Sequence, residues 1–244
     1  MFAIKLIVAA AAVLTAGLAS AQTFNTTTPL PATVPDSPGS PSLCGTPGAP
    51  LNLSIPVTGV TGTITGISVS LGIATNWVGE SAATLIAPGG AVTFSLYGRI
   101  GATTAGGTGD SSNFGGVYQF VDPSVSAQNI WSVAQPLDTN GVVPPGAYAT
   151  TQPGGAGVTA PAPTTPFLAT FAGLTPAQVN GNWTLRLEDY CNADVATVSS
   201  ASLTLAAAAV PTAVPTVGEW GLVFMGLAAA GLGARRLRLR QGAT

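Results

Sequence analysis

The middle of the chain is written with a period of two. In "GISVSLGI" the apolar Ile67, Val69, Leu71 and Ile73 alternate with Ser68, Ser70 and Gly72, which puts one apolar row on one face of a strand. The segments "ATLIA" (83–87) and "AVTFSLY" (91–97) flank Pro88-Gly89-Gly90 and predict a hairpin. "GVYQFV" (116–121) and "NIWSVA" (129–134) predict short strands on either side of an Asp122-Pro123 turn. "NWTLRLE" alternates Trp183, Leu185 and Leu187 with Thr184, Arg186 and Glu188; "SASLTLA" alternates Ala201, Leu203 and Leu205 with Ser202 and Thr204. Gly101 to Asn113 reads as a surface loop, and 135–166 as mostly irregular chain with one extended piece near Tyr148. No long segment between Gln22 and Pro211 shows a helical period. The expectation is an all-β fold, a jelly-roll-like β-sandwich over residues 51–209.

Both ends break this pattern. Lys5, the apolar run Leu6 to Leu18 and the small residues Ala19-Ser20-Ala21 predict a signal peptide over 1–21, with a helical apolar core. Residues 22–50 are rich in Thr, Pro and Ser and predict an extended linker. The last segment, 210–244, holds an almost uniformly apolar or small-residue run from Val217 to Ala234. At ~1.5 Å per residue such a helix is about 27 Å long, enough for a thin hydrocarbon core, so a transmembrane helix is expected over 217–234. Glu219 and Trp220 stand at its start, and Arg235, Arg236, Arg238 and Arg240 follow its end. By the positive-inside rule these arginines keep the tail cytoplasmic while the body faces outward.

Composition narrows the function. Charged residues make up only 7% of the chain, far below the roughly 25% of an ordinary soluble domain, so electrostatic recognition rests on few groups. Lys5 is the only lysine, and Arg99 and Arg186 are the only arginines outside the tail. Gripping phosphate backbones needs clustered Lys and Arg, so nucleic acid is excluded as a partner. The chain has no histidine, which removes a Ser-His-Asp triad and the commonest zinc ligand together. A Ser-Lys dyad fails because Lys5 leaves with the leader. The expectation is a protein that is not an enzyme.

What remains is carboxylates. Glu188 and Asp189 are neighbours on a strand and point to opposite faces, so they cannot converge. A glycoside hydrolase would need the fold to bring Glu80 or Asp122 to one of them. A calcium ion on Glu80, Asp189 and Asp194 is the other reading, since that cation takes six to eight oxygens. Solvation, or pairing of one carboxylate with Arg186, accounts for the same residues without a ligand. Trp183, in phase with Leu185 and Leu187, reads as core; Trp77 and Trp131 stay open between core and an exposed glycan platform. The two cysteines, Cys44 and Cys191, allow one intrachain disulfide in an exported protein.

Three stretches, "WVGESAATLIAPGG" (77–90), "NGNWTLRLED" (180–189) and "ATVSSASLTL" (196–205), together resemble the P domain of proprotein convertases and its bacterial relatives. The resemblance covers about residues 50–207 and implies a jelly-roll sandwich that accompanies a protease, with acidic loop residues near Glu80, Asp189 and Asp194. Glu80 stands where that family usually has Asp. The tail resembles a second family, the IPTL-type C-terminal sorting signals of Gram-negative bacteria. Val214-Pro215-Thr216-Val217 takes the place of Ile-Pro-Thr-Leu, and Gly218-Glu219-Trp220-Gly221 follows it. This implies an exosortase-type transpeptidase as partner and delivery, through a membrane-anchored stage, to the cell surface or extracellular matrix. The reading is a structural or adhesive surface protein. Its alternatives are a calcium-dependent module for protein or glycan, an accessory P domain of a proteolytic system, and the carboxylate hydrolase.

Overall fold

The structure, a computed structural model, describes residues 20–39, 44–137, 139, 141–208 and 219–241. The strands are β1 (Ser20–Asn25), β2 (Ala32–Thr33), β3 (Leu51–Val57), β4 (Ile64–Thr75), β5 (Ser81–Ile86), β6 (Thr93–Gly98), β7 (Phe114–Val121), β8 (Gly146–Ala149), β9 (Gly181–Asp189) and β10 (Thr197–Ala207). They form two sheets. One runs β1-β10-β4-β7-β8 with β2 also on β10, the other β3-β9-β5-β6. All pairs are antiparallel except β7 with β8. The fold is therefore an all-β, two-sheet sandwich.

The alternating rows become its core. Ile67, Val69, Leu71 and Ile73 of β4 face Leu53 and Ile55 of β3, Leu85 of β5 and Leu185 and Leu187 of β9 across one buried cluster. Each fully buried aliphatic side chain contributes about 1.5–3 kcal/mol relative to exposure, so these rows also fix the register. In β10 the buried Val198 and Ala201 are three residues apart, which strict alternation forbids. A bulge between Val198 and Ser200 restores the phase, and Gly72 on β4 makes room for it: a Cβ there would run into the hydroxyls of Ser199 and Ser200.

Three short helices depart from the expectation. Residues 129–134 do not form a strand: α1 (Ile130–Ala134) is helical, because the Asn129 side chain accepts a hydrogen bond from the Trp131 amide at 2.9 Å and starts a turn. Two more turns, α2 (Phe167–Phe171) and α3 (Pro176–Val179), lead into β9. Phe94 of β6 stacks on Phe167 at 4.9 Å, and Phe171 meets Trp183 at 5.3 Å. The Trp183 indole donates to the Val179 carbonyl at 2.7 Å, so the buried ring leaves no polar atom unpaired. Trp183 is core, as its phase implied, and Trp131, 2% exposed, offers no exposed platform.

The expected linker over 22–50 is also corrected. Gln22 to Asn25 lie in β1, paired with β10, and the Thr26 and Thr27 amides and hydroxyls tie the next turn to Ala201 and Ser54. Val34 is buried in the core. Composition suggested free chain, but backbone amides next to an open sheet edge find better partners in β10 than in water.

The C-terminal helix, α4 (Glu219–Gln241), is a separate unit. Leu222, Phe224, Met225, Leu227 and Leu232 are all well exposed along it. No helix among the described residues is long and apolar enough to cross a membrane. The span expected over 217–234 begins with Val217 and Gly218, outside the described residues. Inside α4 the apolar run is bounded by Glu219 and Arg235. The part of the expected signal peptide before Ser20 likewise lies outside the described residues.

Candidate functional site

Strand β9 carries its inward row one step past the hydrocarbon core. Trp183, Leu185 and Leu187 are buried, and the same period turns Asp189 inward at 1% exposure. Glu188 faces out and meets Arg186 at 3.7 Å. In the neighbouring strand Ser81 stands opposite Asp189, and the Glu80 carbonyl accepts the Tyr190 amide at 2.9 Å. This pairing brings Glu80, 2% exposed, alongside Asp189.

The N-terminal segment closes the site from a third side. Cys44 is bonded to Cys191, 147 residues away, and the Gly48 amide donates to the Asp189 carbonyl at 2.7 Å. Gly48 is required by this approach: a Cβ on it would stand 2.5 Å from the Asp36 carbonyl oxygen. Asp36 accepts the Ala193 amide at 3.3 Å, and the Asn192 side-chain amide donates to the Ser37 carbonyl at 3.1 Å. Between these segments opens a cavity of about 220 Å³, lined by Trp77, Glu80, Thr108, Cys191, Asn192 and Asp194. The Trp77 indole is held by the Thr108 carbonyl at 2.8 Å.

The carboxyl groups here are poorly served. Glu80 Oε1 has one long hydrogen bond, 3.5 Å from the Thr75 hydroxyl. Asp189 Oδ1 accepts the Cys191 amide at 3.0 Å, while its Oδ2 is buried without a partner among the described residues. Burial first, then the negative charges of Asp189, Asp194 and Asp36, push the Glu80 carboxyl up from near 4.5 to about 9, against the Thr75 hydrogen bond. Burial raises Asp189 too, from 3.8 to about 7; the Cys191 amide opposes this, and Asp36 and Asp194 add to it. Glu80 is therefore a neutral acid at pH 7, able to donate a hydrogen bond or to release a proton to a suitable ligand.

Of the carboxylates singled out in the sequence, Glu80 and Asp194 share this cavity and Asp189 lies behind Glu80. Among the described residues no three acidic or cysteine side chains stand close enough together to hold a metal ion as placed. Asp122 has other work. Its Oδ1 accepts the Ser124 amide and hydroxyl, and its Oδ2 accepts the Leu168 amide at 2.8 Å, at the start of α2. Desolvation pushes the Asp122 carboxyl up, but these hydrogen bonds together outweigh it and hold the group below its ordinary value. Asp36 was missed in the sequence because it sits in a stretch that reads as linker. Asp189 was legible from the phase of β9.

In the tail, Arg235 is exposed and the backbones of Glu219, Trp220, Arg236, Arg238 and Arg240 are helical. Val214, Pro215, Thr216 and Val217 lie outside the described residues. Comparison with curated proteins gives no match. Among protein families, the one described as the IPTL-CTERM motif matches residues 212–240, covering the Val-Pro-Thr-Val stretch, most of α4 and all four arginines. The chain thus carries a C-terminal sorting signal of the IPTL-CTERM type, which implies an exported protein handled by an exosortase-type enzyme.

Proposed function

We propose that this protein is a non-enzymatic structural or adhesive module, exported, seated briefly in the inner membrane by residues 217–234 and then displayed at the cell surface or in the extracellular matrix. The match of the tail to the sorting motif carries this reading. The exposed apolar side chains of α4 support it, because a helix lined with such residues lowers its free energy by seating in lipid or protein. The arginines after it anchor the end to the cytoplasmic face. Transpeptidation near Pro215-Thr216 then frees the body from the helix; Pro215 favours the extended backbone that a protease cleft accepts. The jelly-roll sandwich of the P-domain kind is the body that is displayed.

The test is the intact mass of the protein recovered from the cell surface. A chain ending near Thr216 supports the reading. A surface chain that still ends at Thr244, or a protein found wholly in the cytosol with its leader attached, overturns it. A calcium-dependent binding module is a second reading, favoured by the buried and under-bonded carboxyls of Glu80 and Asp189. Excess Ca²⁺ would then raise the melting temperature of the chelator-treated protein, and no shift rejects it.

A further inference from the structure

We propose that the cavity beside the disulfide binds a primary alkylammonium group, the side chain of a lysine presented by a partner protein. This deepens the adhesive reading of the sandwich and rests on it. The first support is geometric: Glu80 lines the cavity, is 2% exposed, and among the described residues its only hydrogen bond is the 3.5 Å contact of Oε1 with Thr75. Its Oε2 makes none among the described residues. Behind it, the Asp189 Oδ2 is buried with no partner among the described residues. A ligand with several N–H donors supplies partners for these carboxyl oxygens.

The second support is the sign of the surroundings. The groups acting on Glu80 through charge are the carboxyls of Asp189, Asp194 and Asp36. Arg99 is engaged elsewhere: it donates to the Gly107 carbonyl at 2.8 Å and lies over the Tyr190 ring at 5.2 Å. Among the described residues no lysine or arginine lines the cavity, so an arriving ammonium supplies the positive charge and Glu80 gives up its proton to solvent to pair with it.

The walls choose among cations. Trp77 and the Cys191 side of the disulfide give an apolar surface on which methylenes can rest, and an indole near the charge adds a cation–π attraction. A hard cation gains nothing from an indole and needs six to eight oxygens. One nearby oxygen, the Thr108 carbonyl, already accepts the Trp77 indole. Lysine combines the compact, three-donor head that carboxyls require with the stem that these walls fit. The only lysine of this chain is Lys5, in the expected leader, so the ammonium comes from another protein.

Isothermal titration of the purified full chain at pH 7, with n-butylammonium chloride, calcium chloride and neutral n-butanol as separate titrants, tests this. Saturable binding of n-butylammonium is expected, weakened at least tenfold by Glu80→Gln and by Trp77→Leu, with no saturable binding of n-butanol. Glu80→Gln keeps the shape of the side chain and removes a buried ionisable group, so the fold persists, and circular dichroism verifies it. Calcium binding without n-butylammonium binding overturns the proposal. So does n-butylammonium binding that Glu80→Gln leaves unchanged, or equal binding of n-butanol. Sorting is read by the mass of the tail in the same variants, so failure of the cavity and failure of the surface-display reading are separate results.

Discussion

Glu80→Gln is predicted to stabilise the protein at neutral pH and to leave it unchanged in acid. The Glu80 carboxyl has a folded value of about 9 against an ordinary value near 4.5. The folded state therefore holds the proton more tightly than the unfolded chain. Its full stability on this account is present below about pH 4.5, falls as the unfolded chain ionises, and stops falling only near pH 9. At pH 7 the unfolded chain has gained about 2.5 pH units of ionisation that the folded one has not, worth roughly 3 kcal/mol at ~1.4 kcal/mol per unit. Glutamine cannot ionise, so the variant recovers that amount. For a domain of this size the melting temperature should rise by roughly 6–12 °C at pH 7, and by almost nothing at pH 4. Calorimetry of both proteins at the two pH values checks it. A variant no more stable than the parent at pH 7, or equally stabilised at pH 4, would refute the claim that Glu80 is buried and proton-bearing.

Two further outcomes follow from the same packing. Closing a loop between residues 147 apart stabilises by about 5 kcal/mol on the chain-entropy account, so the double variant Cys44→Ser, Cys191→Ser should unfold at markedly lower urea; an unchanged midpoint would show that Val34 and Asp36 hold the N-terminal segment unaided. The bond after Ala21, where the leader is expected to be cut, lies inside β1, with Ala21 opposite Ala206 and Gln22 opposite Leu205. Signal peptidase should therefore cleave unfolded precursor at Ala21–Gln22 and leave folded precursor intact, as N-terminal sequencing reads; equal cleavage of both would show that β1 is not seated on β10.

Local sequence was enough wherever one physical rule acts at short range. Alternation in 67–73, 183–187 and 201–205 placed the core rows, because a strand's side chains switch faces at every residue and only one face can be dry. The same period, continued by two residues, turned Asp189 inward, and the apolar run with its arginines marked the tail. Elsewhere the decision belonged to partners distant in the chain. Residues 22–50 look like free linker, yet β1 finds its hydrogen bonds 181 residues away, where the Thr23 hydroxyl meets that of Thr204. Asn129 turned an apparent strand into a helix through one side-chain acceptor. The cavity itself exists only because Asp36, Glu80, Asp189 and Asp194, with the disulfide and Trp77, converge from segments that share no sequence motif. Burial and mutual repulsion are properties of that convergence, and no single stretch of sequence contains them.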